Sequence, residues 1–255
     1  MLLAIDVGNT NTVFAIYDGN ELLMEWRCST VVSRTADEYY VWLKGLINFQ
    51  NKNILISKMI VCSVVPQVVF NLKLMGKKYF STEALVVGHS LCKLPVKVRV
   101  DEGVHVGSDR IVNTVAAFDR YGGNLIVVDF GTATTFDVVD LDGAYIGGAI
   151  APGVNLSTKA LHQAAAALPH IEIIKPKTSI GTNTIDCMQA GVFWGYIGLV
   201  KEICAQIMRE HNSTMKVIGT GGLASLFSKV PNTFEIIDSN LTTHGLFLID
   251  EFNRK

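Results

Sequence analysis

Two stretches of this chain repeat each other, and the repeat narrows the folds open to it. Ile5-Asp6-Val7-Gly8-Asn9-Thr10-Asn11-Thr12-Val13 stands at the start, and Val128-Asp129-Phe130-Gly131-Thr132-Ala133-Thr134-Thr135-Phe136 opens the second half. Asp6 aligns with Asp129, Gly8 with Gly131 and Thr12 with Thr135. In each copy a short apolar run ends in a carboxylate, passes through glycine and hydroxyl residues, and returns as an apolar run. A lone Asp-x-Gly-x-Thr is adequately read as an Asx-type turn. Two copies at matching places point instead to a duplicated domain with a phosphate ligand between the copies.

The flanking segments follow one plan twice. In the first half the pattern predicts strands at 1–5, 13–17 and 22–27, with Asp18-Gly19 as a hairpin turn. Thr35-Ala36-Asp37-Glu38 is a capped start for a helix reaching 49. A buried strand at 58–64, a helix from Pro66 to 80 and a strand at 85–87 follow. In the second half, strands are expected at 125–128, 136–140 and 144–150, with Asp142-Gly143 as the turn. A helix over 154–168, a polar loop over 178–184 and a long apolar helix over 185–211 come next. A strand at 216–220 leads into Gly221-Gly222 and a helix start, followed by a strand at 234–237 and a closing helix at 244–252. Between the halves, Val96, Val98 and Val100 alternate with Lys97, Arg99 and Asp101, the pattern of a half-exposed strand across 94–106. Gly107-Ser108-Asp109-Arg110 then opens a helix to Tyr121. The expected fold class is α/β, two lobes each with a mixed central sheet flanked by helices. The expected lobes are 1–108 and 109–255, with the closing helix packing back on the first.

Composition removes several classes of function. Hydrophobic residues make up 49% and charged residues 18%, enough for a large core and against disorder. The formal net charge is −1 and no block of Lys or Arg stands out, so a nucleic-acid surface is not expected. Lys77-Lys78 reads as a solvated helix end. The five cysteines, Cys28, Cys62, Cys92, Cys187 and Cys204, have no CxxC spacing and read as reduced, buried thiols of a cytoplasmic protein. No stretch reaches the roughly 18 apolar residues of a membrane span. No basic n-region opens the chain, so no signal peptide is expected. The histidines are scattered without paired ligand spacing.

The loops suit phosphate chemistry. Glycine and small hydroxyl residues let backbone N–H groups approach a phosphate closely. Gly8, Asn9, Thr10, Asn11 and Thr12 form one cradle; Gly131, Thr132, Thr134 and Thr135 form another. Neither is a Walker A loop, which needs Gly-Lys-[Ser/Thr]. Asp6, at a strand end, suits Mg²⁺ held through water beside nucleotide phosphates. Asp129 is the matching carboxylate and could hold a cation too. Asp109 has two readings: a helix cap, or a general base that takes a proton from a substrate hydroxyl while Arg110 binds an anionic group. Gly221-Gly222 either lets a flat base lie on backbone or makes a tight strand-to-helix turn.

Taken together, the duplicated loops and the late Thr220-Gly221-Gly222 resemble the actin, sugar-kinase and Hsp70 superfamily, with its duplicated ribonuclease H-like, actin-like ATPase fold. Within it, Asp6-Val7-Gly8-Asn9-Thr10, Gly107-x-Asp109-Arg110, Asp129-Phe130-Gly131-Thr132-Ala133-Thr134-Thr135 and Gly148-Ala149-Ile150-x-Pro152-Gly153 resemble type III pantothenate kinases. Ile180-Gly181-x-Asn183-Thr184 and Met188-Gln189-x-Gly191 match as well, so the resemblance spans essentially the whole chain. It implies ATP-dependent phosphorylation of pantothenate to 4′-phosphopantothenate, the first step of coenzyme A synthesis. It implies that Asp6, Val7, Gly8, Asn9, Thr10, Asn11, Thr12 and Val13, with Thr132, bind ATP, and that Asp109 is the proton acceptor. Gly107, Ser108, Asp109, Arg110 and Thr184 would contact pantothenate, and Asp129 would hold K⁺ or NH₄⁺. It further implies a homodimer with the pantothenate site near the subunit interface; 185–207 suits an interface helix or a buried core helix equally. The chain departs from the family at Val100, Glu102 and Gly103, where a Tyr and then an Asn-Pro pair are common. Two alternatives share the scaffold: a nucleotide-binding regulatory protein, and a small-molecule kinase acting on a sugar or acetate. Retention of Asp6, Asp109, Arg110 and Asp129 together favours catalysis, and the minimal lobes disfavour large sugar kinases.

Overall fold

The computed structural model describes residues 1–49, 54–165 and 167–254. Its strands form two five-stranded sheets. The first contains β1 (Leu2–Val7), β2 (Asn11–Asp18), β3 (Glu21–Ser29), β4 (Lys58–Ser63) and β5 (Ala84–Val86), in the order β3-β2-β1-β4-β5. The second contains β6 (Leu125–Phe130), β7 (Ala133–Val139), β8 (Tyr145–Pro152), β9 (Lys216–Gly221) and β10 (Ile236–Ile237), in the order β8-β7-β6-β9-β10. Strand for strand the two orders agree. Directions agree too: β1-β2-β3 and β6-β7-β8 are antiparallel meanders, while β1-β4-β5 and β6-β9-β10 run parallel. The helices are α1 (Ala36–Phe49), α2 (Pro66–Phe80), α3 (Ser108–Tyr121), α4 (Val154–Ala164), α5 (Thr184–Glu210), α6 (Ala224–Phe227) and α7 (Leu241–Arg254).

The central strands are apolar on both faces because both faces are covered. On β1, Leu3, Ile5 and Val7 pack with Tyr39 and Leu43 of α1 and Val68 and Leu72 of α2. Leu2 and Ala4 point the other way, into a cluster with Val112 and Val115 of α3 and Leu246 and Phe247 of α7. Each Val, Leu, Ile or Phe among them contributes about 1.5–3 kcal/mol when fully buried relative to exposure. In the second sheet Ile126, Val128 and Phe130 of β6 pack with Phe193, Ile197 and Val200 of α5.

Local signals set where several helices begin and how closely they approach. Thr35 donates its N–H and hydroxyl to the Glu38 carboxylate at 2.8 and 2.9 Å, and Glu38 N–H returns to Thr35 Oγ1 at 3.3 Å. This is the capping box the sequence suggests, and those donors hold Glu38 below the usual carboxylate range. α5 starts at Thr184 because Asn183 Oδ1 accepts the Asp186 N–H at 3.0 Å. α7 lies directly on the α3 backbone at Gly245, where a Cβ would stand 2.2 Å from Val112 O.

By internal contacts the chain divides into one unit of Met1–Val96, Gly103–Ala116 and Thr242–Lys255, and another of Lys97–Glu102 and Ala117–Leu241. The cut falls inside α3, and α7 belongs with the first unit. The physical reason is the shared face of β1: it needs both Val112 and Val115 and the apolar stripe of α7 for cover.

Three expectations from the sequence need correction. The half-exposed strand over 94–106 is a single parallel bridge, Val98 with Tyr145. Arg99 N–H donates to Tyr145 O at 2.8 Å, and Tyr145 N–H donates to Lys97 O at 2.9 Å. Pro95 has no N–H to extend the ladder, and the chain turns away at Gly103, whose φ is +81°. The helix expected over 154–168 stops at Ala164, and Ala166 lies outside the described residues. The closing helix is longer than expected, from Leu241 to Arg254.

Candidate active site

Asp6 is the last side chain on the α3-facing side of β1. Parallel pairing sets it beside Cys62 of β4, and antiparallel pairing sets it beside Val13 of β2. The start of α3 comes to the same place. Ser108 Oγ donates to Ser63 O at 3.2 Å and stands 3.2 Å from Cys62 Sγ. Asp109, the next residue, accepts the Arg110 N–H on Oδ1 at 2.9 Å. Gly107 leaves the room for this: a Cβ there would lie 2.6 Å from Asp109 Oδ1. The Cys62 thiol is held well above its usual range, first by burial, then by the negative charge of Asp6 and, more weakly, of Asp109. It also hydrogen-bonds Asp6. Two carboxylates from distant parts of the sequence therefore gather around one buried, protonated thiol.

The hairpin beyond Asp6 is braced from below. Gly8 N–H donates to Asn11 O at 2.9 Å, and Thr30 Oγ1 donates to Gly8 O at 2.7 Å. Thr30 N–H donates to Thr10 O at 2.9 Å, and the hydroxyls of Thr12 and Thr30 lie 2.9 Å apart. Val7, Thr12 and Val13 are buried, whereas Asn9, Thr10 and Asn11 are exposed at the tip. Within the cradle, the tip residues thus present side chains to solvent, and the buried ones shape the backbone.

In the second unit Asp129 is the last residue but one of β6, with Thr135 of β7 and Thr220 of β9 in register on either side. Thr135 Oγ1 donates to Asp137 at 3.1 Å. Gly131 N–H donates to Ala133 O at 3.0 Å, closing a hairpin one residue shorter than its twin. That difference shifts the correspondence between the copies. Asp6 faces Val13 but Asp129 faces Thr135, so Thr12 matches Thr134 and not Thr135. The irregularity between Ile16 and Tyr17 then falls on the one between Val138 and Val139. Thr12 and Thr134 are both fully buried; Thr134 Oγ1 has no hydrogen-bond partner among the described residues.

Glycines seat the neighbours of this loop. At Gly153 a Cβ would stand 2.1 Å from Thr132 O, so the turn into α4 rests on the hairpin and leaves Thr132 exposed. Gly221 has φ +88°, and a Cβ there would meet Asp129 Oδ1 at 2.4 Å. Thr184 is exposed in the first turn of α5, and Gly181 packs against the backbone N of Cys187. The sequence reading names Asp6, Ser108 and Asp109 as candidates, and the structure holds all three in the first unit. It misses Cys62 and Ser63, which it treats as part of a plain buried strand; the one available signal is that this strand ends in side chains able to hydrogen-bond.

Two sheets of this order, each with a carboxylate near the end of its central strand and a hydroxyl-rich hairpin beyond, make up the duplicated actin-like fold. An activator of the 2-hydroxyisocaproyl-CoA dehydratase from Clostridium difficile, solved with bound ADPNP, has a similar fold, with a TM-score of 0.56 at 11% identity over 99% of this chain and 96% of its own. A Campylobacter jejuni protein described as a Baf family transcriptional activator superposes with a TM-score of 0.62 at 20% identity over 99% of this chain and 98% of its own. At such identities the likeness is one of fold. Sequence goes further: the model of the family described as type III pantothenate kinase matches residues 2–206. A type III pantothenate kinase of Roseobacter denitrificans is 60% identical over 255 residues, covering 100% of this chain and 99% of that protein. The chain belongs to the type III pantothenate kinase family.

Proposed function

We propose a division of labour for the reaction that family membership gives this chain, the ATP-dependent phosphorylation of pantothenate to 4′-phosphopantothenate in coenzyme A synthesis. The observation that carries it is the meeting of Asp6, Ser108 and Asp109 around Cys62 in one unit. Asp109 accepts the proton of the substrate hydroxyl as it attacks the terminal phosphorus of ATP. Arg110 holds negative charge on the substrate or on the group in transfer. Gly107, Ser108 and Thr184 contact pantothenate. Asn9, Thr10 and Asn11, exposed at the hairpin tip, hold ATP phosphates together with the backbone of Gly8 and with Thr132. Phosphoryl transfer asks mainly for such positioning and charge stabilisation.

The cation sites fit the donors present. Among the described residues no group of three or more His, Cys, Asp or Glu forms a metal cage. Mg²⁺ needs none here, since it keeps waters and takes phosphate oxygens beside one or two carboxylates; Asp6 would hold it through water. When bound, Mg²⁺ neutralises charge on the phosphates. Asp129, flanked in register by the hydroxyl side chains of Thr135 and Thr220, offers the hard oxygen atoms that K⁺ or NH₄⁺ prefers.

A homodimer is supported by the outer side of α5. A Cβ at Gly191, Gly195 or Gly198 would meet nothing within 4 Å, and Trp194 and Ile185 stand partly exposed nearby. Small residues at this spacing let a second helix approach closely. A cytoplasmic setting is supported by five unpaired cysteines. Among the described residues no helix is long and apolar enough to cross a membrane.

The substrate test is direct. With ATP, Mg²⁺ and K⁺, the purified protein is expected to phosphorylate pantothenate and to leave a panel of sugars and acetate untouched. Transfer to a sugar in preference to pantothenate would overturn the assignment. The cations are tested separately by titrating K⁺ and Mg²⁺ against Asp129→Ala and Asp6→Ala. Asp129→Ala is expected to need at least about tenfold more K⁺ for half-maximal rate, in line with the loss of a direct ligand. Asp6→Ala is expected to lose activity at every K⁺ concentration and to weaken Mg²⁺-ATP. The reverse pattern would exchange the two sites.

A further inference from the structure

Cys62, the last residue but one of β4, is fully buried, in register with Asp6 and 3.2 Å from the Ser108 hydroxyl at the head of α3. That hydroxyl already gives its proton to Ser63 O, so it meets the sulfur with a lone pair. The thiol has one proton and two acceptors within reach, Ser108 Oγ and the Asp6 carboxylate. One sulfur therefore ties the end of β1 to the residue just before Asp109. The second sheet has the same arrangement with a different atom: Thr220, 1% exposed, lies in register with Asp129 as Cys62 does with Asp6. A buried hydrogen-bonding side chain beside the strand-end carboxylate is thus a feature of both copies.

We propose that Cys62 is a positioning residue for phosphoryl transfer, its thiol setting the separation between Asp6, which serves Mg²⁺-ATP, and Asp109, which serves the substrate hydroxyl. The inference rests on the roles given to those two carboxylates above. The thiol stands between the two elements, in register with Asp6 of β1 on one side and 3.2 Å from Ser108 Oγ of α3 on the other. Its S–H is a weak donor, so it orients Asp6 without competing strongly for the carboxylate lone pairs that would accept hydrogen bonds from metal-bound water. Removing it leaves the Asp6 side chain and the Ser108 hydroxyl without their common partner, and both groups gain freedom to move.

The test uses Cys62→Ala and Cys62→Ser in the full chain, with Asp109→Asn in the same assay. Misplacing a reacting group by about 1 Å costs on the order of 100-fold in rate. A lost tether that permits only part of such a displacement is expected to cut kcat roughly tenfold in Cys62→Ala. Half-saturating Mg²⁺ is expected to rise several-fold, while KM for pantothenate stays within about twofold because the Ser108 hydroxyl keeps its bond to Ser63 O. Cys62→Ser retains a donor and is expected to recover most of the lost kcat. Cys62→Ala with the parental kcat and Mg²⁺ response would overturn the inference. So would Cys62→Ser as slow as Cys62→Ala, because volume rather than the donor would then be what matters. An Asp109→Asn enzyme that keeps its turnover would remove the site reading itself and this inference with it. An inactive Asp109→Asn beside a normal Cys62→Ala would remove the Cys62 inference alone.

Discussion

Asp109→Asn is expected to bind ATP within about twofold of the parent and to lose roughly 10³-fold in kcat, within the range that a positioned general base contributes. Asparagine is nearly isosteric with aspartate and keeps a carbonyl oxygen to accept the Arg110 N–H that Asp109 Oδ1 accepts at 2.9 Å. The first turn of α3 therefore stays in place, as does the Ser108 contact with Ser63 and Cys62. What disappears is the ability to take a proton. Loss of that charge also relieves one cause of the raised Cys62 thiol, although burial, the largest cause, remains. Nucleotide affinity from a fluorescent ATP analogue and kcat from a coupled assay separate the two effects. A rate near that of the parent would show that Asp109 is only the helix cap its position also allows.

Gly221→Ala is expected to be the most damaging of the small substitutions near the second loop. Gly221 has φ +88°, where a side chain is strained by about 1–3 kcal/mol. Its Cβ would also stand 2.4 Å from Asp129 Oδ1 and 2.7 Å from Phe130 N. Backbone cannot yield as a flexible side chain does, and forced overpacking adds about 1–3 kcal/mol. Together these correspond to a fall in thermal midpoint of about 4–24 °C for a chain of this size. The clash is with the carboxylate proposed to hold the monovalent cation, so the folded fraction is also expected to need more K⁺. Asp129→Ala is the control: it should raise the K⁺ requirement without the large loss of stability. A Gly221→Ala protein with the parental thermal midpoint would mean that β9 does not approach β6 as closely as the structure has it.

Much of the fold can be read from residues alone, for a physical reason visible in β1 and β6. Leu2–Val7 and Leu125–Phe130 are apolar on both faces, so their burial needs no knowledge of which partner covers which side. The hairpins after Asp6 and Asp129 are equally legible, because glycine tolerates turn geometries and short polar side chains bond nearby backbone, which favours a turn there. The alternation of Val96, Val98 and Val100 misleads because alternation describes a strand only if a ladder exists to receive it. Here one edge residue, Tyr145, is the whole partner. Matching Thr12 with Thr135 misleads for a related reason: the shorter second hairpin changes the register without changing the motif, and only pairing between strands records it.

The chain's own residues determine the duplication, the two strand-end carboxylates and the hydroxyl-rich loops, because each is a local pattern of a few consecutive side chains. Tertiary structure alone decides that Asp6 and Asp109 share a place and that Cys62 and Ser108 join them there. Cys62 becomes part of that place through the parallel register of β4 on β1, which no spacing in the sequence expresses. Ser108 arrives because the apolar face of α3 must cover Leu2 and Ala4, which brings its first turn to the end of β1 where Asp6 stands. Packing of the core thus places the two carboxylates, and the chemistry follows from a contact that hydrophobic burial enforces.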